Sequence, residues 1–128
     1  NISFDEMVAI VGGERAERLR EVSIAIYNTG SRHAESKGII IADTKMEFGE
    51  HNEELMLIDE LLTPDSSRFW SMQDYAPGQS QDSFDKQIVR DYLLTLDWDQ
   101  TPPGPELPEE IIKKTSEKYQ EILNILTN

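Results

Sequence analysis

The sequence contains no cysteine and only two histidines in 128 residues. Disulfides and thiolate-ligated metals are therefore excluded, and a reducing compartment fits. Apolar runs stop after a handful of residues, well short of the roughly 20 that a membrane-spanning helix needs. The opening residues Asn1 to Glu6 lack the basic start and apolar stretch of a secretory leader. A cytoplasmic location is expected, with no membrane partner. Positive charge is also scarce: 12 Lys plus Arg stand against 25 Asp plus Glu, a formal net charge of −13. Nucleic-acid binding, which needs cations to neutralise phosphates, is not expected. Any anionic ligand must be held by a few well-placed cations or through a divalent metal.

What is present reads as one α+β unit. Ser3 with Glu6 forms a capping-box pattern ahead of a short helix that Gly12-Gly13 stops. From Glu14 a longer helix carries Leu19, Val22 and Ile26 on one stripe and is expected to fade between Gly30 and Gly38. The period then falls from about 3.6 to 2. Gly38 to Phe48 reads as a strand, "EHNEE" as a polar turn, and Glu54 to Asp59 as the returning strand of an antiparallel hairpin. Residues 63–83, rich in Pro, Ser, Asp and Gln, read as a long loop. Asp85 to Leu96 returns to helix, with Ile88, Tyr92 and Leu96 inward. A proline-rich connector leads to Pro108, placed as the first residue of a last helix with Ile112, Thr115, Tyr119, Ile122 and Leu126 on one face. Asn1 is not a methionine and the helical pattern starts at once, so the chain reads as a segment of a longer protein.

The charges of the first strand bear on function. Alternation places Ile40, Ala42, Thr44, Met46 and Phe48 on one face, and Asp43, Lys45 and Glu47 on the other with Ile39 and Ile41. Charged groups about 7 Å apart in a row can organise a divalent cation. They also suit a solvated face with Lys45 as local counter-ion, and the pattern alone leaves both open. With the turn near His51, Asp59 comes to the same side, close to Asp43, although one residue of slip would reverse it. Arg68 suits either a forked contact with a carboxylate or phosphate, or stacking on Trp70. Lys86 and Arg90, four apart, share a helix face where an anion would relieve their repulsion; an ordinary solvated face fits as well.

Three motifs in order, "GIIIADTKMEFG" (38–49), "LIDELLTPDSSRFW" (57–70) and "SFDKQIVRDYL" (83–93), resemble those of the phosphoribosylaminoimidazole-succinocarboxamide synthase, or SAICAR synthetase, family. The resemblance extends over essentially the whole chain. It implies a kinase- or ATP-grasp-like carboxy-terminal lobe, with residues 1–128 forming the ATP- and substrate-binding portion. The family's amino-terminal, nucleotide-covering portion is not in this sequence and is the implied partner. The implied reaction is an ATP- and Mg²⁺-dependent ligation of purine biosynthesis. It joins carboxyaminoimidazole ribonucleotide (CAIR) to L-aspartate through an acyl phosphate. By the same analogy Asp59 and Glu47 organise metal and ATP phosphates, and Asp43 is a further metal or catalytic contact. Lys45 meets the substrate carboxylate. Arg68, Lys86 and Arg90 grip anionic substrate groups in a pocket shaped by Asp65 and Ser67. Self-association is left open. Two other classes compete: a kinase-like phosphotransferase, which needs no aspartate pocket, and a non-catalytic acidic binding module.

Overall fold

The computed structural model describes residues 1–128. Ser3 Oγ accepts the Glu6 backbone N–H, while Glu6 Oε2 accepts the Ser3 N–H at 2.7 Å, closing the capping box that starts helix α1 (Phe4–Val11). Gly12, at φ +87°, breaks the helix, and α2 (Gly13–Ser36) follows directly. The helix ends within the expected span of Gly30 to Gly38, but it runs past Gly30 as far as Ser36. Gly30 is a packing residue: a Cβ there would collide with Leu62 Cδ1, and its neighbour across the gap is Ile41. The stop falls instead at Gly38, which takes φ +75°, a conformation that side chains resist.

The expected antiparallel hairpin forms over Phe48–His51 and Glu54–Leu57, but Ile39–Thr44 belongs to a second small antiparallel sheet. Strand β1 (Ile39–Thr44) pairs with β4 (Ser67–Ser71), inside the region read as loop, while β2 (Phe48–His51) pairs with β3 (Glu54–Leu57). The β2–β3 turn holds Asn52 and Glu53 at φ +51° and +68°, the twist-compatible form of a two-residue hairpin. The β4 signal was masked by its flanks, since Ser, Asp and Pro on one side and a Gln-rich loop on the other suggest no strand. That loop is ordered by one side chain: the Gln81 amide accepts from Ala76 N and donates to Ala76 O and Gln79 O.

The face assignment along β1 is also corrected. Ile39 and Ile41 are buried on the core face, opposite to the expected anchor of Ile40 and Ala42. The ladder register shifts between Ile41 and Asp43, so Ala42 is the extra residue of a β-bulge. Without it Asp43 would follow Ile39 and Ile41 into the core. With it, Thr44 faces the buried Ser67 and Asp43 faces the exposed Arg68. Regular strand then ends at Thr44, so Lys45 and Glu47 lie on a connecting segment and not on a strand face.

Six buried side chains form the core: Ala34 from α2, Ile39 and Ile41 from β1, Phe69 from β4, Phe84, and Ile122 from α4 (Glu109–Thr127). Tyr27, Leu62, Ile125 and Leu126 pack around them. Tyr27 donates its hydroxyl to Ile41 O at 2.7 Å, and the His33 ring meets Leu126 O at 2.9 Å, fastening α2 to the sheet and to α4. Helix α3 (Gln87–Leu94) lies within the expected span, and Pro108 caps α4 from one position outside it. Ile112, expected inward, is 53% exposed. The accessible surface is 9257 Å², against about 6,900 Å² for a folded monomer of this mass. Several large apolar side chains are exposed, with Ile10, Ile24, Ile58, Leu94 and Leu123 all more than half exposed. No helix is long and apolar enough to cross a membrane.

Phe69 is 1% exposed at the centre of this core. Phe69→Ala is expected to cost about 3–5 kcal/mol by chemical denaturation, and the exposed Gln73→Ala no more than about 0.5 kcal/mol. Equal midpoints for the two variants would contradict the packing described.

Candidate functional site

The ends of β1 and β4, the 60–66 segment and the start of α3 enclose a cleft of about 530 Å³. Its lining is polar and charged apart from Pro64, and it brings together Asp43, Lys45, Asp65, Ser67, Arg68, Lys86 and Arg90 from the sequence-derived set. Glu47 and Asp59 lie outside that lining but reach it through Lys45.

Each strand-end residue is placed by the bulged ladder. Opposite Asp43, the Arg68 guanidinium forms a fork: Nε donates to Oδ1 at 2.8 Å and Nη2 donates to Oδ2. The guanidinium carbon also lies 6.0 Å from the Trp70 ring centroid, so a forked contact and an aromatic neighbour coexist. Arg68's hydrogen bonds hold the Asp43 carboxyl below the usual carboxylate range, and Asp43 raises the guanidinium reciprocally. Ser67 Oγ donates to Thr44 Oγ1 at 2.8 Å, which spends the buried hydroxyl on joining the strand ends.

Lys45 is anchored by its backbone N–H to Ser66 O, at 2.8 Å. Its ammonium donates to Glu47 Oε1 at 2.6 Å and lies 3.7 Å from Asp59 Oδ2. The hydrogen bond to Glu47 raises the Lys45 pKa, so the ammonium stays charged at neutral pH. Asp59 reaches this position because Ile58 N bonds to Glu47 O, extending the β2–β3 ladder toward Lys45. The expected approach of Asp59 to Asp43 rested on β1 pairing with the 54–59 strand; with β1 on β4 instead, Asp59 meets Lys45.

Across the cleft, Lys86 Nζ donates to Asp65 Oδ1 at 2.8 Å, and this hydrogen bond lowers the Asp65 pKa. Asp65 is carried on a turn in which Thr63 donates to Glu60 and Ser66 N bonds Thr63 O. Arg90 stands one turn beyond Lys86, its backbone N–H bonded to Lys86 O.

Two charged lining residues, Asp85 and Glu60, were not among the sequence-derived site residues. Asp85 is only 2% exposed and accepts the Gln87 N–H at 2.7 Å, fixing the first turn of α3 beneath Lys86. An aspartate two residues before a helix is a capping signal that would have found it. Glu60 was one acid among several in "LIDELLTPDSS", and its turn geometry was not legible. Outside the lining, Tyr119 was read as packing. Burial, then the carboxylates of Asp65, Asp85 and Glu60, push its phenol pKa up.

The fit of a divalent cation rests on Glu47 and Asp59. Both are half-exposed hard-oxygen donors converging on one ammonium, and no three acidic or imidazole groups gather into a self-sufficient metal site. That donor set suits Mg²⁺, which keeps water and phosphate oxygens in its shell and takes only one or two carboxylates. Asp43, committed to Arg68, does not join them.

Residues 1–105 match the family described as SAICAR synthetase. A phosphoribosylaminoimidazole-succinocarboxamide synthase from Thermodesulfovibrio yellowstonii is 61% identical over 128 residues, all of this chain and 44% of the relative's length. The SAICAR synthase of Saccharomyces cerevisiae, solved in complex with SAICAR, superimposes with a TM-score of 0.85 at 43% identity, covering 99% of this chain and 43% of that one. A SAICAR synthetase solved with ADP shares the fold at 24% identity and a TM-score of 0.68. The chain thus spans less than half the length of the relatives it matches. The phosphotransferase and binding-module readings are not favoured by these relatives.

In the Asp43–Arg68 fork, Arg68→Gln is expected to return the Asp43 midpoint upward to the ordinary carboxylate range, read by carbon-detected NMR titration. The sign for stability follows: with a depressed folded pKa, the pair contributes fully above the ordinary Asp value near 3.9 and is lost as pH falls through the Asp43 midpoint. Both partners are about half exposed, so that contribution should stay below about 1 kcal/mol. An unmoved Asp43 midpoint in Arg68→Gln would contradict the fork.

Proposed function

The chain belongs to the SAICAR synthetase family, and we propose that it carries the phosphate- and carboxylate-handling wall of an ATP-dependent, cytoplasmic ligase. The reaction joins CAIR to L-aspartate and releases ADP and phosphate. The observation that carries this reading is the Lys45 ammonium, held between Glu47 and Asp59 beside a cleft that also contains Arg68, Lys86 and Arg90.

A carboxylate resists nucleophilic attack because its carbon is shielded by delocalised negative charge. Its oxygen therefore first attacks the γ-phosphorus of ATP, and ADP leaves. The amine nitrogen of L-aspartate then attacks the acyl carbon, phosphate leaves, and the amine gives up a proton. All reactants are anionic, so positioning and charge screening do most of the catalytic work. Lys45 would lie against the reacting carboxylate and the transferred phosphoryl group. Glu47 and Asp59 would hold Mg²⁺, whose charge, when bound, screens the ATP phosphates. Arg68 would grip a carboxylate or phosphate by its fork in exchange for Asp43. Lys86 and Arg90 would bind the remaining anionic groups of CAIR or L-aspartate. Ser67 and Asp65 shape the cleft floor and rim.

That this wall is one side of the site is supported by the chain's excess surface and by its coverage of under half of its relatives. The remaining portion of the enzyme, which would cover the nucleotide, would bury the exposed apolar side chains.

In the enzyme assembled with that remaining portion, Lys45→Met is expected to lower kcat by about 10²–10³-fold with an unchanged thermal midpoint. The wild-type 128-residue chain alone is expected to release no product. Coupled assay of SAICAR formation checks both. Near-normal turnover by Lys45→Met would remove that ammonium from the reaction, and product from the chain alone would refute the one-wall reading.

A further inference from the structure

The cleft is electrically balanced although the protein carries a net charge of −13. Lys45, Arg68, Lys86 and Arg90 face Asp43, Glu60, Asp65 and Asp85 within a single lining. Bulk attraction therefore cannot draw an anion into it. Three of the cations already hold carboxylates: Lys45 has Glu47 and Asp59, Arg68 has Asp43, and Lys86 has Asp65. Arg90 has none within ion-pair distance. Its side-chain polar contact is a long one, from Nη1 to the neutral Gln87 Oε1 at 3.4 Å. It is exposed and stands on a helix turn that the buried Asp85 fixes.

Lys86 and Arg90 thus sit one turn apart in different states. Both were placed for one anionic ligand, yet only Arg90 is ready to receive it. The Lys86–Asp65 pair is half exposed on both sides, so breaking it is cheap. A carboxylate oxygen 2.8 Å from the ammonium occupies the place that a ligand oxygen would take.

We propose that Asp65 is a positioning residue that acts as an internal stand-in anion. A ligand offering two anionic contacts, either the two carboxylates of a dicarboxylate or two oxygens of a doubly charged phosphate monoester, engages the free Arg90 first, and its second contact then displaces Asp65 from Lys86. This deepens the ligase reading, since it rests on the cleft being the site for anionic substrate. The device gives selectivity: a monoanion satisfies Arg90 and stops there, whereas a ligand offering two anionic contacts also recovers the Lys86 contact. It also keeps Lys86 ordered and neutralised while the cleft is empty.

The experiment measures binding of inorganic phosphate and of succinate by calorimetry, with circular dichroism confirming the fold of each variant. It uses the 128-residue chain and, in parallel, the assembled enzyme. Asp65→Asn keeps the shape and removes the competing charge, and is expected to tighten succinate by about three- to fivefold. Arg90→Gln is expected to weaken both probes by about tenfold or more. The decisive arm is the pair Lys86→Gln and Lys86→Gln/Asp65→Asn: with no ammonium to release, removing Asp65 should give no gain. Weaker or unchanged binding in Asp65→Asn would overturn the proposal, as would a gain that persists without Lys86. The ligase reading fails separately. If Asp65→Asn behaves as expected but the assembled enzyme forms no SAICAR, the anion exchange stands and the assigned reaction falls.

Discussion

The pairing of β1 with β4, interrupted by the bulge at Ala42, is the constraint on which the rest of this structure depends. Ile39, Ile41 and Phe69 are buried together, which fixes both strands over α2 and α4. In an unbroken ladder the same period that buries Ile39 and Ile41 would bury Asp43 as well, at a cost of several kcal/mol for an unpaired charge. The extra residue removes that conflict. It lets an apolar strand end in charged groups that face solvent, and it sets Asp43 opposite Arg68. Lys45 follows immediately and is pinned by Ser66 O. Core packing thus determines where the first three charges of the cleft stand.

Signals carried within a few residues were legible in the sequence. Ser3 and Glu6 gave the first helix start, and Gly12-Gly13 gave its end, because capping and glycine conformations are local. Gly30 is the opposite case. Its meaning lies in Leu62, 32 positions away, and nothing near it in sequence shows that a side chain would collide there. Strand β4 was hidden in the same way, since its partner precedes it by 23 or more residues and its composition resembles a loop. The strand-face error has one physical cause. A bulge inverts the parity of everything beyond it, and parity is all that periodicity can read. Types of residue for the site were nevertheless legible, since Asp43, Lys45, Arg68, Lys86 and Arg90 do share a cleft. Asp59 was placed near the wrong partner because its assumed strand pairing was wrong.

Most of the cleft's positive charge is already paired with carboxylates. Isolated lysines and arginines would hold an anion strongly but would repel one another while waiting for it. Lys45, Arg68 and Lys86 instead wait on carboxylates, each pair half exposed and individually worth little. Under the proposed exchange, an entering anion would replace one ion pair by another, with the net gain coming from the better geometry of its contacts.

The remaining surface follows from the same division of labour. A polypeptide of this mass that closed its own core would expose about 6,900 Å², and this one exposes 9257 Å². The cleft cations lie at strand ends and at a helix start, where a rigid scaffold presents chemistry. Around them, however, no apolar wall shields the site from water. Under the proposed reaction, an acyl phosphate at such an open face would meet water as readily as an amine. On the proposed ligase reading, whatever covers the exposed apolar faces would also have to exclude water, so covering the core and protecting the intermediate would become one structural requirement.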